Sequence, residues 1–168
     1  MLQSITFHAE TPGCNLLVLG AVHGDEICGP TAIRRILDEI EQGKIELLHG
    51  RVTFVPVCNP RAYARNVRFT ERNLNRNLLP QDKPDCYEAV LGNLLCPLLR
   101  DHDVLLDIHS YHVGGPPFVF IDPADAKNIA YAAALGADTV LSNFAGAITA
   151  TGRNDGNAAN WSIGTTEY

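Results

Sequence analysis

Two short stretches of the sequence carry residues that could hold a catalytic metal ion. His23 and Glu26 lie three residues apart in the glycine-rich turn 20–26, directly after an apolar run, and His109 ends a second apolar run at 104–109. Two histidines and one carboxylate, with a fourth position left for water, are typical of catalytic rather than structural zinc sites. No cysteine has the spacing of a sulfur-closed structural site. The sequence therefore predicts a hydrolase that binds one Zn²⁺ per chain through His23, Glu26 and His109.

Each member of this set also has a simpler interpretation. His-x-x-Glu occurs often by chance, and its value here comes from its place after an apolar run, a context that Asp-Ile-His-Ser repeats at 107–110. His109 could instead cap a strand, and Glu26 could interact with the N-terminus of the helix that follows. We expect Asp107 to point to the opposite face from His109, where it either orients a neighbouring group or makes a buried hydrogen bond. We expect His112 to line the same rim as His109.

Four arginines lie between residues 65 and 76 of an acidic protein. Arginine binds carboxylates in a bidentate manner, keeps its charge when partly buried, and can stabilise the oxyanion that forms when water attacks a carbonyl. A solvated loop with local salt bridges is the simpler alternative, and we prefer it for Arg65 and Arg72. The segment is therefore a candidate for substrate binding. The remaining histidines (His8, His49 and His102) fall in expected edge or loop positions, where we expect them to be solvated.

The apolar pattern predicts the elements that position these residues. Short apolar runs predict strands at 2–8, 15–20, 51–57, 103–109 and 118–121, and helical spacing predicts helices at 29–42, 87–99 and 124–135. Pro97 predicts that the second helix bends or ends early. Residues 58–83 are polar and aperiodic, and a loop of this length is more often functional than not. Residues 151–168 also read as a polar loop.

Strands that alternate with helices predict an α/β sandwich around a mostly parallel sheet. In such sheets ligands bind beyond the carboxyl ends of the strands. His23, Asn59 and His109 each follow an apolar strand, so we expect them to meet at one rim. The 168 residues are compatible with one domain that buries a sizeable core.

Composition excludes several classes of protein. The net charge of −6 and the pI near 5.4 argue against nucleic-acid binding. No apolar run reaches the roughly 18 residues of a membrane span, and the N-terminus does not resemble a signal peptide. Five scattered cysteines without a CxxC pair predict a reduced, cytoplasmic setting. The sequence leaves the oligomeric state open, a homo-oligomer included.

Three motifs in order resemble those of the succinylglutamate desuccinylase/aspartoacylase family, a branch of the zinc carboxypeptidase superfamily. They are Gly-x-x-His-Gly-x-Glu at 20–26, Asn-Pro-Arg at 59–61 with Arg-(x)5-Leu-Asn-Arg at 68–76, and Asp-Ile-His at 107–109. The resemblance spans roughly residues 15–110. It implies a three-layer α/β/α sandwich with a mixed, mostly parallel sheet, and zinc bound by His23, Glu26 and His109.

The resemblance also implies roles for the polar segment. Arg68 matches the arginine that polarises the scissile carbonyl in the family, and Asn75 and Arg76 match the pair that holds the substrate's carboxylate. The reaction implied is hydrolysis of an N-acyl amino acid or a related small amide, so the expected partner is a small carboxylate-bearing amide.

The sequence departs from the family at the general base. In the family this base is a glutamate at the end of a later apolar strand, in a stretch like Val-Glu-x-Gly, and nothing in residues 111–168 matches. Glu167 is the only late glutamate, but Gly164-Thr165-Thr166 precedes it. We therefore expect residues 1–168 to be an incomplete zinc hydrolase domain, an N-terminal fragment whose base and small β-rich domain lie beyond its end.

Three other functions share some of these features. A zinc peptidase would use the same zinc and arginine chemistry on peptides. A non-catalytic zinc- or ligand-binding module would need only the metal site. A nucleotide-binding α/β domain is the weakest alternative, because residues 20–24 lack both the three-glycine spacing and a P-loop lysine.

Overall fold

The computed structural model describes residues 1–76, 78–111, 117–122, 125–136, 139–142 and 159–166. These ranges contain seven strands and four helices. The strands are β1 (Ile5–His8), β2 (Asn15–Gly20), β3 (Arg51–Val55), β4 (Val104–Tyr111), β5 (Phe118–Asp122), β6 (Thr139–Ser142) and β7 (Ala159–Thr166). The helices are α1 (Cys28–Glu41), α2 (Pro60–Arg65), α3 (Tyr87–Arg100) and α4 (Ala126–Ala134). None of the helices in these ranges is long and apolar enough to cross a membrane.

The strands form one mixed sheet in the order β1-β3-β2-β4-β7-β5-β6. β1 pairs antiparallel with β3, and β5 pairs antiparallel with β7. The other four neighbouring pairs are parallel. β2 and β4 are therefore adjacent parallel strands, and the turns that follow them leave the sheet at the same rim.

Helices cover both faces of the sheet. Successive side chains of a strand point to opposite faces, so each strand contributes to two apolar clusters. On one face α3 packs against β2 and β4 in a cluster that includes Leu17, Leu91, Leu95 and Leu105. On the other face α1 packs against the same strands in a cluster that includes Val18, Ile33, Leu37 and Ile108. The predicted three-layer α/β/α sandwich with a mostly parallel sheet is thus confirmed.

Two helices differ in how closely they follow the sequence pattern. α1 has apolar residues at helical spacing and ends before Gly43, whose φ of +68° suits glycine, as predicted. Pro97 was predicted to bend α3 or end it early; the helix does not end early, because it continues to Arg100. Pro97 lies in the last turn, where the missing N–H costs a single helical hydrogen bond, and the Asp101 N–H still donates to the Pro97 carbonyl.

Both predicted loops contain regular structure. Within 58–83, α2 begins after Asn59, whose side chain accepts a hydrogen bond from the Ala62 N–H, and Pro60 occupies the first helical position. Within 151–168, residues 159–166 form β7, so the prediction of a loop was wrong there. β7 pairs with β4 on one side and β5 on the other, and pairing on both sides outweighs a weak local strand preference. β6 was not predicted.

His102 is buried rather than solvated. Its Nδ1 lies 2.7 Å from the Leu98 carbonyl and its Nε2 lies 2.8 Å from the Thr53 hydroxyl. Burial is the main cause that lowers the pKa of His102, so the ring favours its neutral form. This histidine therefore serves the packing of α3 against the sheet.

Candidate metal and substrate site

The turn after β2 is held in place by the segment that follows β3. The Cys58 N–H donates to the Gly20 carbonyl at 2.9 Å, and the Asn59 N–H donates to the Ala21 carbonyl at 3.0 Å. Ala21 adopts a φ of 45°, a left-handed conformation that costs a residue with a Cβ roughly 1–2 kcal/mol. The strained turn directs the chain sharply from β2 toward the rim of the sheet.

Gly24 lets two other segments approach this turn. A Cβ at this position would lie 2.1 Å from the backbone carbon of Ala62, so α2 would have to move to admit any side chain. The Gly24 N–H also donates to the Arg68 carbonyl at 3.2 Å. The turn that carries the first two candidate ligands is therefore packed directly against both α2 and the segment 65–76 with its four arginines, here called the arginine segment.

The structure brings the three predicted metal ligands together. His23 Nδ1 lies 2.7 Å from Glu26 Oε1, and His109 Nδ1 lies 2.8 Å from Glu26 Oε2. One ligand atom from each residue lies within 4.8 Å of the other two, and all three side chains are buried. The alternative that Glu26 caps α1 is not supported, because the N-cap is Ile27 and the carboxylate faces the histidines. Two nitrogens and one oxygen at this separation fit a zinc ion.

The outer nitrogens of both rings have defined acceptors. His109 Nε2 lies 2.8 Å from Asp107 Oδ2, and His23 Nε2 lies 3.1 Å from Asn73 Oδ1. A metal-binding histidine usually donates its other ring N–H to such an acceptor, which fixes the ring's orientation. The prediction that Asp107 faces away from His109 was wrong, because residues two apart on a strand share a face. Both Nδ1 atoms are therefore directed at one point.

Charge compensation stabilises this buried group. Burial raises the pKa of Glu26, but hydrogen bonds from His109 and His23 and their charges outweigh it and hold the pKa well below its usual range. Burial lowers the pKa of His109, but the charges and hydrogen bonds of Asp107 and Glu26 outweigh it and raise the pKa to about 10. Because carboxylate oxygens only accept, both rings donate to Glu26 from Nδ1. Metal binding there requires loss of these protons.

Arg68 lies directly against the group. Its Nη1 donates to Glu26 Oε1 at 3.0 Å, and 45% of its side chain is exposed. The guanidinium therefore lies between the buried carboxylate and solvent, where it can also contact a bound molecule. Arg65 and Arg72 are placed differently: Arg65 is exposed at the end of α2, and Arg72 pairs with Asp85 at 3.4 Å.

Asn75 and Arg76 join the group through Asn73. The Asn73 side-chain oxygen that faces His23 also accepts from the Asn75 N–H at 2.9 Å. Asn75 is buried, and its side-chain oxygen has no hydrogen-bond partner among the described residues. Arg76 is exposed and donates to the Asn75 carbonyl at 2.6 Å. A buried amide and an exposed guanidinium thus lie side by side next to the metal ligands.

Two residues of this region had no predicted role in the site: Asn73 contacts a candidate ligand, and Glu88 binds both Asn59 and the arginine segment. Asn59 was expected at the rim with His23 and His109; it is buried and caps α2. The sequence did contain a signal for Asn59, since Asn-Pro is typical of a helix start. Nothing in the sequence connects Glu88, in the first turn of a later helix, to the arginine segment. Two predicted positions, His112 and Glu167, lie outside the described residues.

Comparison with known proteins identifies relatives in both sequence and structure. Residues 12–165 match the family described as succinylglutamate desuccinylase/aspartoacylase catalytic domain. The succinylglutamate desuccinylase of Vibrio cholerae is 31% identical over 112 residues, which cover 66% of this chain and 32% of that protein. The N-alpha-acetyl-L-2,4-diaminobutyric acid deacetylase of Halomonas elongata is 29% identical over 63% of this chain and 31% of its own length.

Solved structures share the fold at lower identity. An aspartoacylase family protein from Mesorhizobium loti superposes with a TM-score of 0.78 at 24% identity, over 97% of this chain and 55% of that one. The succinylglutamate desuccinylase of Vibrio cholerae superposes with a TM-score of 0.74 at 21% identity, over 96% of this chain and 58% of that one. The chain thus spans about a third of the length of its sequence relatives and about half that of these structures. The chain belongs to the succinylglutamate desuccinylase/aspartoacylase family.

Proposed function

We propose that this protein is a zinc-dependent hydrolase that cleaves the amide bond of an N-acyl amino acid or a similar small acidic amide. The observation that carries the proposal is the buried group of His23, Glu26 and His109 with the Arg68 guanidinium 3.0 Å from its carboxylate. Membership of the family supports the same class of reaction. The names of two relatives, a succinylglutamate desuccinylase and an acetyl-diaminobutyrate deacetylase, suggest which acyl amino acids to test.

The metal in this proposal is one Zn²⁺ held by His23, Glu26 and His109. The two nitrogens and one oxygen, and the acceptors that fix both outer ring nitrogens, support zinc over harder cations such as Mg²⁺. A zinc ion held by these three residues would supply Lewis-acid activation of water and of a carbonyl group. The contribution of the protein is to hold both rings and the carboxylate in a fixed, largely dry setting.

Arg68 is the proposed stabiliser of the oxyanion. Its guanidinium is anchored by the buried Glu26 carboxylate yet remains 45% exposed, so its other N–H groups can donate to a bound substrate. Attack by water on an amide carbonyl places negative charge on the carbonyl oxygen. A fixed cation at that point stabilises the charge as it develops.

Asn75 and Arg76 are the proposed binding site for the substrate's carboxylate. Arg76 supplies an exposed guanidinium, which matches a carboxylate in charge and in geometry. Asn75 is held beside it by the Asn73 side chain and carries a buried amide. This pair would orient an acidic substrate so that its acyl carbonyl approaches Arg68.

The general base was expected beyond residue 168, after a loop at 151–168; because residues 159–166 already form β7, we propose Glu167 as the base instead. The family resemblance requires a glutamate at the end of a later strand, and β7 is such a strand. β7 runs parallel to β4, with Thr166 paired with Tyr111 beyond His109. Glu167 is the next residue in the sequence after Thr166, the last residue of β7. In the proposed role it takes a proton from the attacking water and gives it to the leaving amine.

A reduced, cytoplasmic setting and a small-molecule substrate complete the proposal. The five cysteines are scattered and contain no CxxC pair, which supports a reducing compartment. The side chains of Arg68, Asn75 and Arg76 suit a small carboxylate-bearing substrate. The net charge of −6 argues against nucleic acid.

The test is release of amine from a panel of acyl amino acids by the zinc-loaded protein. We expect hydrolysis of at least one of N-succinyl-L-glutamate, N-acetyl-L-aspartate and N-acetyl-L-2,4-diaminobutyrate, and a drop in kcat of about 100-fold or more in Glu167→Gln at unchanged zinc content. Hydrolysis of peptides alone would instead identify a peptidase. Zinc binding without hydrolysis of either class, in a protein that also carries the segment downstream of residue 168, would identify a non-catalytic zinc module and reject the proposed function.

A further inference from the structure

Glu88 gathers hydrogen-bond donors from four other residues around one buried carboxylate. It lies in the first turn of α3 with 2% of its surface exposed. Oε1 accepts from the Thr70 N–H at 2.8 Å, from the Thr70 hydroxyl at 2.6 Å and from the Asn59 amide at 3.1 Å. Oε2 accepts from the Glu71 and Arg72 N–H groups, each at 3.3 Å. Three consecutive backbone N–H groups therefore converge on a single side chain.

The arginine segment and the start of α3 also bind each other in the reverse direction. Glu71 Oε2 accepts from the Tyr87 N–H at 3.3 Å. A side chain of the segment thus binds the backbone of the helix, while Glu88 of the helix binds the backbone of the segment. Arg61 lies 4.0 Å above the Tyr87 ring and joins α2 to the same contact. Glu71, Cys86 and Glu88 place metal-type donors close together, but the Glu88 oxygens are already occupied by N–H and O–H donors. The Glu88 carboxylate therefore binds the backbone of residues 70–72.

The backbone that Glu88 holds lies between the residues of the candidate site. Arg68 comes two residues before Thr70 and contacts Glu26. Asn73 comes directly after Arg72 and contacts both His23 and the Asn75 N–H. Arg76 is tied to the same turn, since its N–H donates to the Asn73 carbonyl at 3.2 Å. Residues 70–72 thus connect Arg68 on one side with Asn73, Asn75 and Arg76 on the other.

We propose that Glu88 is a positioning residue that sets the substrate-binding geometry of the 68–76 segment. This inference rests on the proposed function of that segment. Among the described residues, the hydrogen bonds of Glu88 go to Asn59 and to residues 70–72, so Glu88 acts on the site through that backbone. Its loss releases the oxyanion arginine and the carboxylate pair together, while His23 in the turn after β2 and His109 on β4 stay in place.

Glu88→Gln isolates this role because it changes charge and hydrogen-bonding capacity without changing shape. The amide nitrogen that replaces one oxygen donates rather than accepts, so it opposes at least one of the N–H groups that now converge there. Thr70→Val is a milder variant, because it removes only the 2.6 Å hydroxyl contact and leaves all three backbone donors paired. It serves if Glu88→Gln fails to fold.

The experiment measures the dissociation constant of N-succinyl-L-glutamate by calorimetry and of zinc by chelator competition, with hydrogen exchange of residues 70–76 followed by mass spectrometry. We expect Glu88→Gln to lower the affinity for the acyl amino acid by about 10- to 100-fold and to leave the affinity for zinc within about threefold. Hydrogen exchange of residues 70–76 should become faster. Thr70→Val should change the same quantities in the same direction by a smaller factor. Leu37→Ala is the matched control: it removes a buried side chain from the opposite face of the sheet and should lower Tm without changing the acyl amino acid affinity.

Two results would overturn the inference. Exchange in 70–76 that stays unchanged in Glu88→Gln would mean that the carboxylate does not hold the segment. Equal affinity of wild type and Glu88→Gln for the acyl amino acid would mean that the contact is only structural, as would an equal loss in Leu37→Ala. Failure of the wild-type protein to bind any acyl amino acid is a separate result, and it rejects the proposed function of the segment and this inference with it.

Discussion

The two halves of the candidate site are held in place by different means. His109 lies on a strand of the central sheet, and His23 and Glu26 follow the neighbouring strand, so backbone pairing of β2 with β4 sets their separation. Arg68, Asn75 and Arg76 lie on a segment with no regular structure, and its middle is held by Glu88. The first, strand-held half is therefore fixed by the sheet, whereas the middle of the second, loop-held half is held by one buried carboxylate.

This difference predicts that metal binding and substrate binding can be lost independently. Sheet pairing spreads its stabilisation over many hydrogen bonds, so a change in the 68–76 segment leaves the metal ligands in register. The segment depends on few contacts, so one substitution can misplace it. Among the described residues, two side-chain hydrogen bonds join the halves: Arg68 with Glu26, and Asn73 with His23.

The largest effect should come from breaking the strand-held half. We expect His109→Ala to abolish stoichiometric zinc binding, with a loss in affinity well beyond the roughly 10- to 100-fold that removal of a ligand's outer partner costs. Elemental analysis of the purified protein and chelator competition measure it. His8→Ala, on the edge strand β1, is the control and should keep about one zinc per chain. Zinc retained by His109→Ala would show that the ligand set is wrong.

Arg68→Ala tests the direct contact between the halves. We expect a fall in kcat of roughly 100- to 1,000-fold, because the cation that meets the developing oxyanion is removed, and an unchanged zinc content. Steady-state kinetics of the zinc-loaded enzyme measure the effect. Arg65→Ala removes an exposed arginine at the end of α2 and should match wild type. A rise in KM alone would assign Arg68 to ground-state binding instead.

The strand-held half was the more predictable from sequence, for a physical reason. Short apolar runs that end in glycine or histidine predict buried strands, and parallel strands deliver their carboxyl ends to one rim. That argument alone brought His23, Glu26 and His109 together. It failed for Asp107 only through an error of strand periodicity.

The loop-held half was less predictable because its contacts are long-range. Arg68, Asn75 and Arg76 were identified by resemblance, and no local pattern indicates that Glu88 binds backbone 16 to 18 residues earlier in the chain. The short helix α2 and the strand β7 were missed for related reasons. α2 depends on one capping residue, and β7 depends on pairing with β4 and β5, which the residues of β7 do not themselves reveal.

Acid should remove the stabilisation that Glu88 gives to the loop-held half, whereas changes of pH around neutrality should not. Burial raises the pKa of Glu88, but hydrogen bonds from Thr70, Asn59 and Arg72 outweigh it and lower the pKa to about 2. A lowered pKa stabilises the fold above the unfolded value of about 4.5, and this contribution, of the order of 3 kcal/mol, is lost as the pH falls toward 2. We therefore expect the difference in the free energy of unfolding between wild type and Glu88→Gln, measured by urea unfolding, to be smaller at pH 3 than at pH 7. A difference that is the same at both pH values would contradict the lowered pKa of Glu88.

Arg76→Ala should give the smallest and most selective effect, and so sharpens the comparison further. The guanidinium is exposed, where water competes for its charge, so we expect only about a 10-fold rise in KM for substrates that carry the carboxylate, with little change in kcat. Kinetics on N-succinyl-L-glutamate and on its amide analogue measure the selectivity. Arg72→Ala, which removes an arginine paired with Asp85 in the same segment, is the control. An equal loss for both substrates would remove Arg76 from the carboxylate site, and a loss of zinc would mean that the two halves are coupled after all.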